Sequence, residues 1–166
     1  ADFRERSEPR LIFRTDEEDN RRGHEVIEQY LSGLMPALDT DIPAADDPDW
    51  TWEEMRVYNH GAFPYEGMYI GMPAVYFRRG KRYTRCIICF TEIQLICSKD
   101  LTTWQRLGDR QPFISPSPAG SGAYDLSKNL PPSNAVVRGD ELWFYYTGFK
   151  YQGSGRAFDP DRSAIC

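Results

Sequence analysis

Between residues 56 and 147 the chain alternates short β-branched and aromatic runs with turns built on Gly and Pro. That punctuation restricts the fold more than any other feature. The whole chain holds 13 glycines and 12 prolines, and short elements are expected in this half. Runs of this composition read as strands, over 10–14, 56–59, 61–63, 68–71, 74–77, 86–97, 135–137 and 142–147. The links between them carry turn chemistry: Pro64-Tyr65-Glu66-Gly67, Arg79-Gly80-Lys81 and Arg138-Gly139-Asp140-Glu141. Many short strands with such turns predict an all-β sandwich, barrel or propeller.

One helix interrupts this pattern. Val26, Ile27, Tyr30, Leu31 and Leu34 recur at helical spacing, so an amphipathic helix is expected over 25–34, ended by Gly33 and Pro36. The preceding charge run, 15–23, reads as a solvated loop or helix start, with Thr15 and Glu18 in capping-box spacing. Two long loops are expected, over the Pro- and Asp-rich stretch 36–50 and over 115–133. Unstructured loops of that length are uncommon unless they carry function.

Composition excludes several classes. The formal net charge is −5 and the pI about 5.1, without the basic stripe of a nucleic-acid binder. No apolar run reaches the roughly 20 residues of a membrane helix. Neither nucleic acid nor membrane is therefore an expected partner. Cys86 and Cys89 form a C-x-x-C inside a strand, where alternation would put them on opposite faces. They read as buried thiols, a usage that suits a reducing compartment or a bacterial protein with no disulfide framework, and with no signal peptide in the segment a cytoplasmic location is expected. With two histidines and no second cysteine pair, neither a metal nor another cofactor is expected. The chain opens Ala1-Asp2-Phe3 and closes Ala164-Ile165-Cys166, which reads as a slice of a longer protein.

Internal similarity sharpens the fold expectation. Ser98-Lys99-Asp100-Leu101-Thr102-Thr103-Trp104 is echoed by Asp2-Phe3-Arg4-Glu5-Arg6, and both precede an apolar run. The stretch 59–69 aligns with 133–143 as strand, acidic-Gly turn and aromatic strand. Hairpins followed by such a box suggest four-stranded blades, stacked radially into a β-propeller. Within the box, Ser98 and Asp100 are expected to bond turn amides rather than take part in chemistry.

The motif Tyr58-Asn59-His60-Gly61-Ala62-Phe63-Pro64-Tyr65-Glu66-Gly67-Met68-Tyr69-Ile70-Gly71 resembles bacterial proteins of the glycoside hydrolase family 32/43-like superfamily. So do 92–100, 108–113 and 140–148. The resemblance implies an all-β, five-bladed β-propeller, of which about two blades are present as a fragment. One short helix would lie in an inter-blade insertion. Residues 1–14 would end one blade, 15–55 form the helical and loop insertion, 56–114 one blade, and 115–166 a loop and the start of the next. The remaining blades would be missing, and the family's Asn-Asp-Pro nucleophile motif is absent.

The function this implies is glycoside hydrolysis, acting on a carbohydrate substrate, which needs two carboxylates flanking the bond. Asp125 is the first candidate, either a hub carboxylate or a loop residue capping a turn. Glu66, in the Tyr-Glu-Gly turn, and Glu92, with Gln94 on the same strand face, are the others. Candidate binding residues are Asn59, His60 and Tyr65, with Trp50 and Trp52 able to stack on a sugar ring. For His60 the better reading is a satisfied structural histidine. The alternative function is a catalytically silent sugar-binding or interaction propeller.

Overall fold

The computed structural model describes residues 8–31, 50–81, 86–118, 121–150 and 159–166, leaving out the side chains of 30, 31, 50–54, 81 and 86–88. The described residues form one α-helix and three small open antiparallel sheets. In chain order they are α1 (Glu17–Leu31), β1 (Trp50–Tyr65), β2 (Met68–Lys81), β3 (Cys86–Ile93), β4 (Ile96–Ser98) and β5 (Gln105–Arg106). There follow a 3₁₀ turn (Gly108–Arg110), β6 (Lys128–Leu130), β7 (Val136–Arg138), β8 (Glu141–Trp143), β9 (Thr147–Phe149) and β10 (Ser163–Ile165).

Sheet A is organised by β2. One edge of β2 pairs with β1 along its length, while the other pairs first with β4 and then with β3. β5 extends the sheet beyond β4. Sheet B runs β10-β9-β6, and sheet C is the hairpin β7-β8. Glu66 (φ 48°) and Gly67 (φ 78°) both take left-handed backbone at the β1–β2 turn. That is the two-residue turn whose twist matches antiparallel strands.

This architecture overturns the five-bladed β-propeller and, with it, the resemblance to the glycoside hydrolase 32/43-like superfamily. The two hairpins aligned in sequence differ: β1 and β2 have 16 and 14 residues, β7 and β8 three each. A tight turn fixes only the residues beside it, so similar turns did not make repeated blades. Residues 86–97 also break in two at Gln94 and Leu95, because β3 and β4 take successive stretches of the same β2 edge. Of the two box copies, the first (2–6) lies outside the described residues. The second is a local turn: Ser98 Oγ accepts from Asp100 N and Leu101 N at 3.2 and 2.9 Å. Asp100 Oδ1 accepts from Thr102 N and Thr103 N at 2.8 and 2.7 Å. Those backbone donors hold the Asp100 carboxyl well below the usual carboxylate range.

The helix starts at Glu17, eight residues before the expected start at Glu25. Its cap is the reciprocal pair Asp16 and Asp19, in which each side chain accepts from the other's backbone N at 3.0 and 2.9 Å. The expected cap, Thr15, instead donates to Met55 O on β1 at 3.0 Å. Residues 10–14, expected as a strand, carry none. Leu34, Pro36 and the loop 36–49 lie outside the described residues, and residue 50 already belongs to β1.

Pairing register puts Met55, Val75, Phe77, Phe90 and Glu92 on one face of sheet A. This is the face that α1 covers. Ile27 is buried on the helix, and a Cβ on Gly23 would lie 2.2 Å from Met55 Sδ, so a helical glycine permits the close approach. Phe77 and Phe90 stack in parallel, with ring centroids 4.8 Å apart and 3° between planes. A second apolar cluster of Phe63, Met72 and Ile93 is packed by Ile114, Phe144 and Tyr146.

Gly61 illustrates a close approach that composition cannot reveal. It lies inside β1, opposite Met72, rather than between strands. A Cβ there would stand 2.0 Å from the carbonyl oxygen of Pro132. Gly61→Ala must therefore push the 131–135 segment off β1. We expect a loss of about 1–3 kcal/mol in unfolding free energy, the usual cost of overpacking, read by urea denaturation. A loss under half a kcal/mol would show the two segments are not in contact.

Cysteine usage also differs from expectation. Cys89 is disulfide-bonded, while Cys97 and Cys166 are free. The alternation argument assumed an unbroken ladder, but the β2–β3 register shifts between Arg79 and Gly80, opposite Ile88 and Cys86. An extra residue in one strand breaks strict alternation between positions 86 and 89. The cysteines therefore no longer point to a reducing compartment. Among the described residues no helix is long and apolar enough to cross a membrane.

Candidate functional site

The three candidate carboxylates lie in three different surroundings. Glu66 is exposed at the tip of the β1–β2 hairpin. Asp125 is buried beside sheet B, where Tyr146 donates to it at 2.6 Å. The pair explains Gly148, whose Cβ would stand 2.9 Å from Asp125 Cα. Burial, reinforced by the Asp125 bond, pushes the Tyr146 hydroxyl well above its usual range.

Glu92 is buried on the helix face of sheet A, accepting from Gln94 Nε2 at 2.8 Å, with Arg22 at 3.7 Å. Burial pushes its carboxyl up, and the Gln94 bond and the Arg22 charge oppose that shift. Glu92 ends a polar chain that fastens α1 to the sheet. Gln94 Oε1 accepts from Arg106 at 3.0 Å, Arg106 pairs with Asp19, and Arg110 bridges Asp19 at 2.8 Å and Asp16 at 2.7 Å. The Arg110 bond holds the exposed Asp16 carboxyl down at about 2. Every charge here has a protein partner, so the chain is a fastening.

The candidate binding residues do not converge either. Asn59 is exposed on β1, and Tyr65 stands beside Phe63 at the hairpin end, with centroids 6.5 Å apart. His60 meets Trp104 edge to face at 4.9 Å, and neither ring nitrogen has a partner among the described residues. Burial lowers its pKa, favouring the neutral ring. Trp50 and Trp52 belong to β1, but their side chains lie outside the described residues. Among the described residues no group of three His, Cys, Asp or Glu is placed to hold a metal. With no propeller hub and no carboxylates gathered round a common space, neither glycosidase action nor the sugar-binding or interaction propeller is supported. The carbohydrate partner and the missing blades fall with them.

The residues that do converge were missed. Sheet B joins sheet A at the outer edge of β3. Thr91 N donates to Ser127 O at 3.1 Å. Thr91 Oγ1 donates to Asn129 O at 3.0 Å and accepts from Asn129 N at 2.6 Å. On the face away from α1, this junction leaves a cleft of about 160 Å³. Tyr58 and Tyr76 form one wall, tilted at 56° with centroids 5.7 Å apart. Lys128, Leu130 and Phe149 form the other, with Arg162 at its end.

Local structure places each of these. Tyr58 is the extra residue where the β1–β2 register shifts between Val57 and Asn59, so its ring escapes the regular pleat. Lys128 pairs across the ladder with Phe149, and alternation turns Ser127 and Asn129 to the opposite side. Lys128 Nζ lies 5.7 Å from the Tyr76 centroid, and Arg162 Cζ 5.9 Å from that of Phe149. Burial, and then the neighbouring Arg162 charge, push the Lys128 pKa down.

Two larger cavities are chemically quieter. One of about 590 Å³ runs past Phe13, Arg14 and Trp104, but its Arg106 and Arg110 are already held by Asp19 and Asp16. Another, of about 430 Å³, is lined by Met68, Cys97 and the Ser98–Asp100 turn, whose polar atoms are used internally. In the junction cleft the half-buried Lys128 has no carboxylate or hydrogen-bond partner among the described residues. No protein-family model, no curated protein and no solved structure matches the chain.

Proposed function

We propose that this domain binds a small anion in the cleft between sheets A and B. The observation that supports this is Lys128: half-buried, with no carboxylate or hydrogen-bond partner among the described residues. A partly desolvated ammonium is costly without a counter-charge, and Arg162 adds repulsion. An anion seated beside Lys128 offsets that cost. The cleft is lined by cations and ring faces, with no carboxylate, imidazole or thiol among its described residues. That inventory suits holding a ligand better than activating a nucleophile. The chain's net charge of −5 gives anions no long-range attraction, so affinity would come from contact, within a Debye length of about 8–10 Å.

The test is an NMR titration with acetate and with inorganic phosphate at constant ionic strength. We expect saturable shifts of the Lys128 and Phe149 amides. Lys128→Gln should weaken binding about tenfold or more, since a hydrogen bond to a charged group contributes about 1.5–3 kcal/mol. Affinity should be full while Lys128 is protonated and should fall as pH rises through its pKa. Because that value is depressed, the fall begins at lower pH than for an ordinary lysine. Absent saturation, or equal affinity in Lys128→Gln, would overturn the reading.

A further inference from the structure

We infer that Lys128 is a nucleophilic amine, and that its cleft admits a small neutral aldehyde with which the amine condenses to a Schiff base. This activity needs no anion and goes beyond anion binding. Lys128 is half-buried between sheets A and B, its Nζ 5.7 Å from the Tyr76 centroid, with no carboxylate or hydrogen-bond partner among the described residues. Lys150, by contrast, is held by Asp161 at 2.6 Å. An ammonium drawn partly out of water with no counter-charge gives up its proton more readily. Desolvation and a neighbouring cation are the conditions that turn a lysine into a nucleophile.

The charged and titratable groups facing Lys128 are Arg56 and Tyr58 from β1, Tyr76 and Arg78 from β2, and Arg162 ahead of β10. None is a carboxylate. Burial first, and then the Arg162 charge, push the Lys128 pKa down. Burial is the larger cause, so nothing here requires Arg162 to be unpaired. The cleft has no base to activate a hydroxyl or a thiol, and an amine needs none once its proton is gone.

The Nζ lone pair attacks the carbonyl carbon, and the C=O π pair moves to oxygen. A proton passes from nitrogen to that oxygen through water, giving a carbinolamine. The hydroxyl then leaves as water while the nitrogen gives up its remaining N–H proton, and C=N replaces C=O. No electrons are gained or lost overall. The cleft sets the class of aldehyde. Its volume is about 160 Å³, about half the lower end of the roughly 300–1,000 Å³ typical for drug-sized ligands. Tyr58, Leu130 and Phe149 line it, and the Thr91 hydroxyl is already engaged with Asn129. A short apolar tail therefore suits it.

The test incubates the whole chain with propionaldehyde and sodium cyanoborohydride, without acetate or phosphate, and reads each lysine by peptide mass spectrometry. Cyanoborohydride delivers hydride to the C=N carbon and makes the adduct permanent. At neutral pH, we expect Lys128 to be labelled about tenfold or more faster than the exposed Lys99. Its rate should fall as pH falls through its pKa, and at lower pH in the folded chain than in guanidinium-unfolded chain. Tyr58→Ala opens one wall to water and should move that fall to higher pH. Labelling of Lys128 no faster than that of Lys99, or one pH profile for folded and unfolded chain, would overturn the inference. An unmoved profile in Tyr58→Ala would overturn the cleft as the source of the reactivity. With no anion present, each result is independent of the acetate and phosphate titration, so either reading can fail alone.

Discussion

Asp19→Ala should lower the unfolding free energy by about 3 kcal/mol or more, the largest effect of any single polar change here. Asp19 is 1% exposed and holds Arg106 and Arg110 together. It also caps α1 by accepting from Asp16 N. Removing one member of a buried ionic group leaves its partners uncompensated, which costs about 3–5 kcal/mol. The lower end applies because both arginines keep some contact with water. Loss of the cap adds about 1 kcal/mol. Asp19→Asn keeps an acceptor and loses the charge, so its cost should be smaller. Guanidinium unfolding measures the free energies, and amide exchange along α1 shows where the loss falls. If α1 amides stay as protected as in the parent while stability drops, the fastening role is wrong.

Phe77→Ala should cost a comparable amount, about 3–5 kcal/mol, by opening a cavity in the layer between α1 and sheet A. Phe77 is fully buried and stacked on Phe90 across the β2–β3 ladder. The remaining ring has little to collapse onto, because its other neighbours are fixed on paired strands. Against a total stability of about 5–15 kcal/mol for a domain of this kind, either change consumes much of the margin. Tyr65→Ala, at the exposed end of β1, is the control and should stay within about 0.5 kcal/mol. A Phe77→Ala loss no greater than that of Tyr65→Ala would mean the helix does not seal this layer.

The parts of the fold legible in the sequence are those fixed by neighbours in the chain. The β1–β2 hairpin follows from Glu66-Gly67, and the Ser98–Trp104 turn from its own side chains. Strands β6, β9 and β10 are three residues each, too short for alternation to register. β6 also lies within a stretch whose serines and prolines read as loop. Its partner in the ladder is β9, far along the chain. The start of α1 was hidden for a related reason. Asp16 and Asp19 look like solvated charge until Arg106 and Arg110 are brought to them from the far end of sheet A.

The cleft was the least legible of all. Tyr58 reached it through a strand irregularity, Lys128 through the three-residue β6, and Arg162 from just before β10. The resemblance implies acid–base chemistry and so directs attention to carboxylates, and Glu66, Glu92 and Asp125 lie in three separate surroundings. A search for cations lacking a nearby acid would have noticed Lys128. Sequence distance would still have concealed the tyrosines that face it.

The Thr91–Asn129 latch gives the cleft a property that neither sheet has alone. Its walls stand on different ladders that meet along the single line of β3 against β6, like the jaws of a caliper. A change in the angle between the jaws alters the gap at Tyr76 and Phe149 without breaking a rung in either ladder. The width of the cleft is then set at that one junction, by the bonds between Thr91 and Asn129.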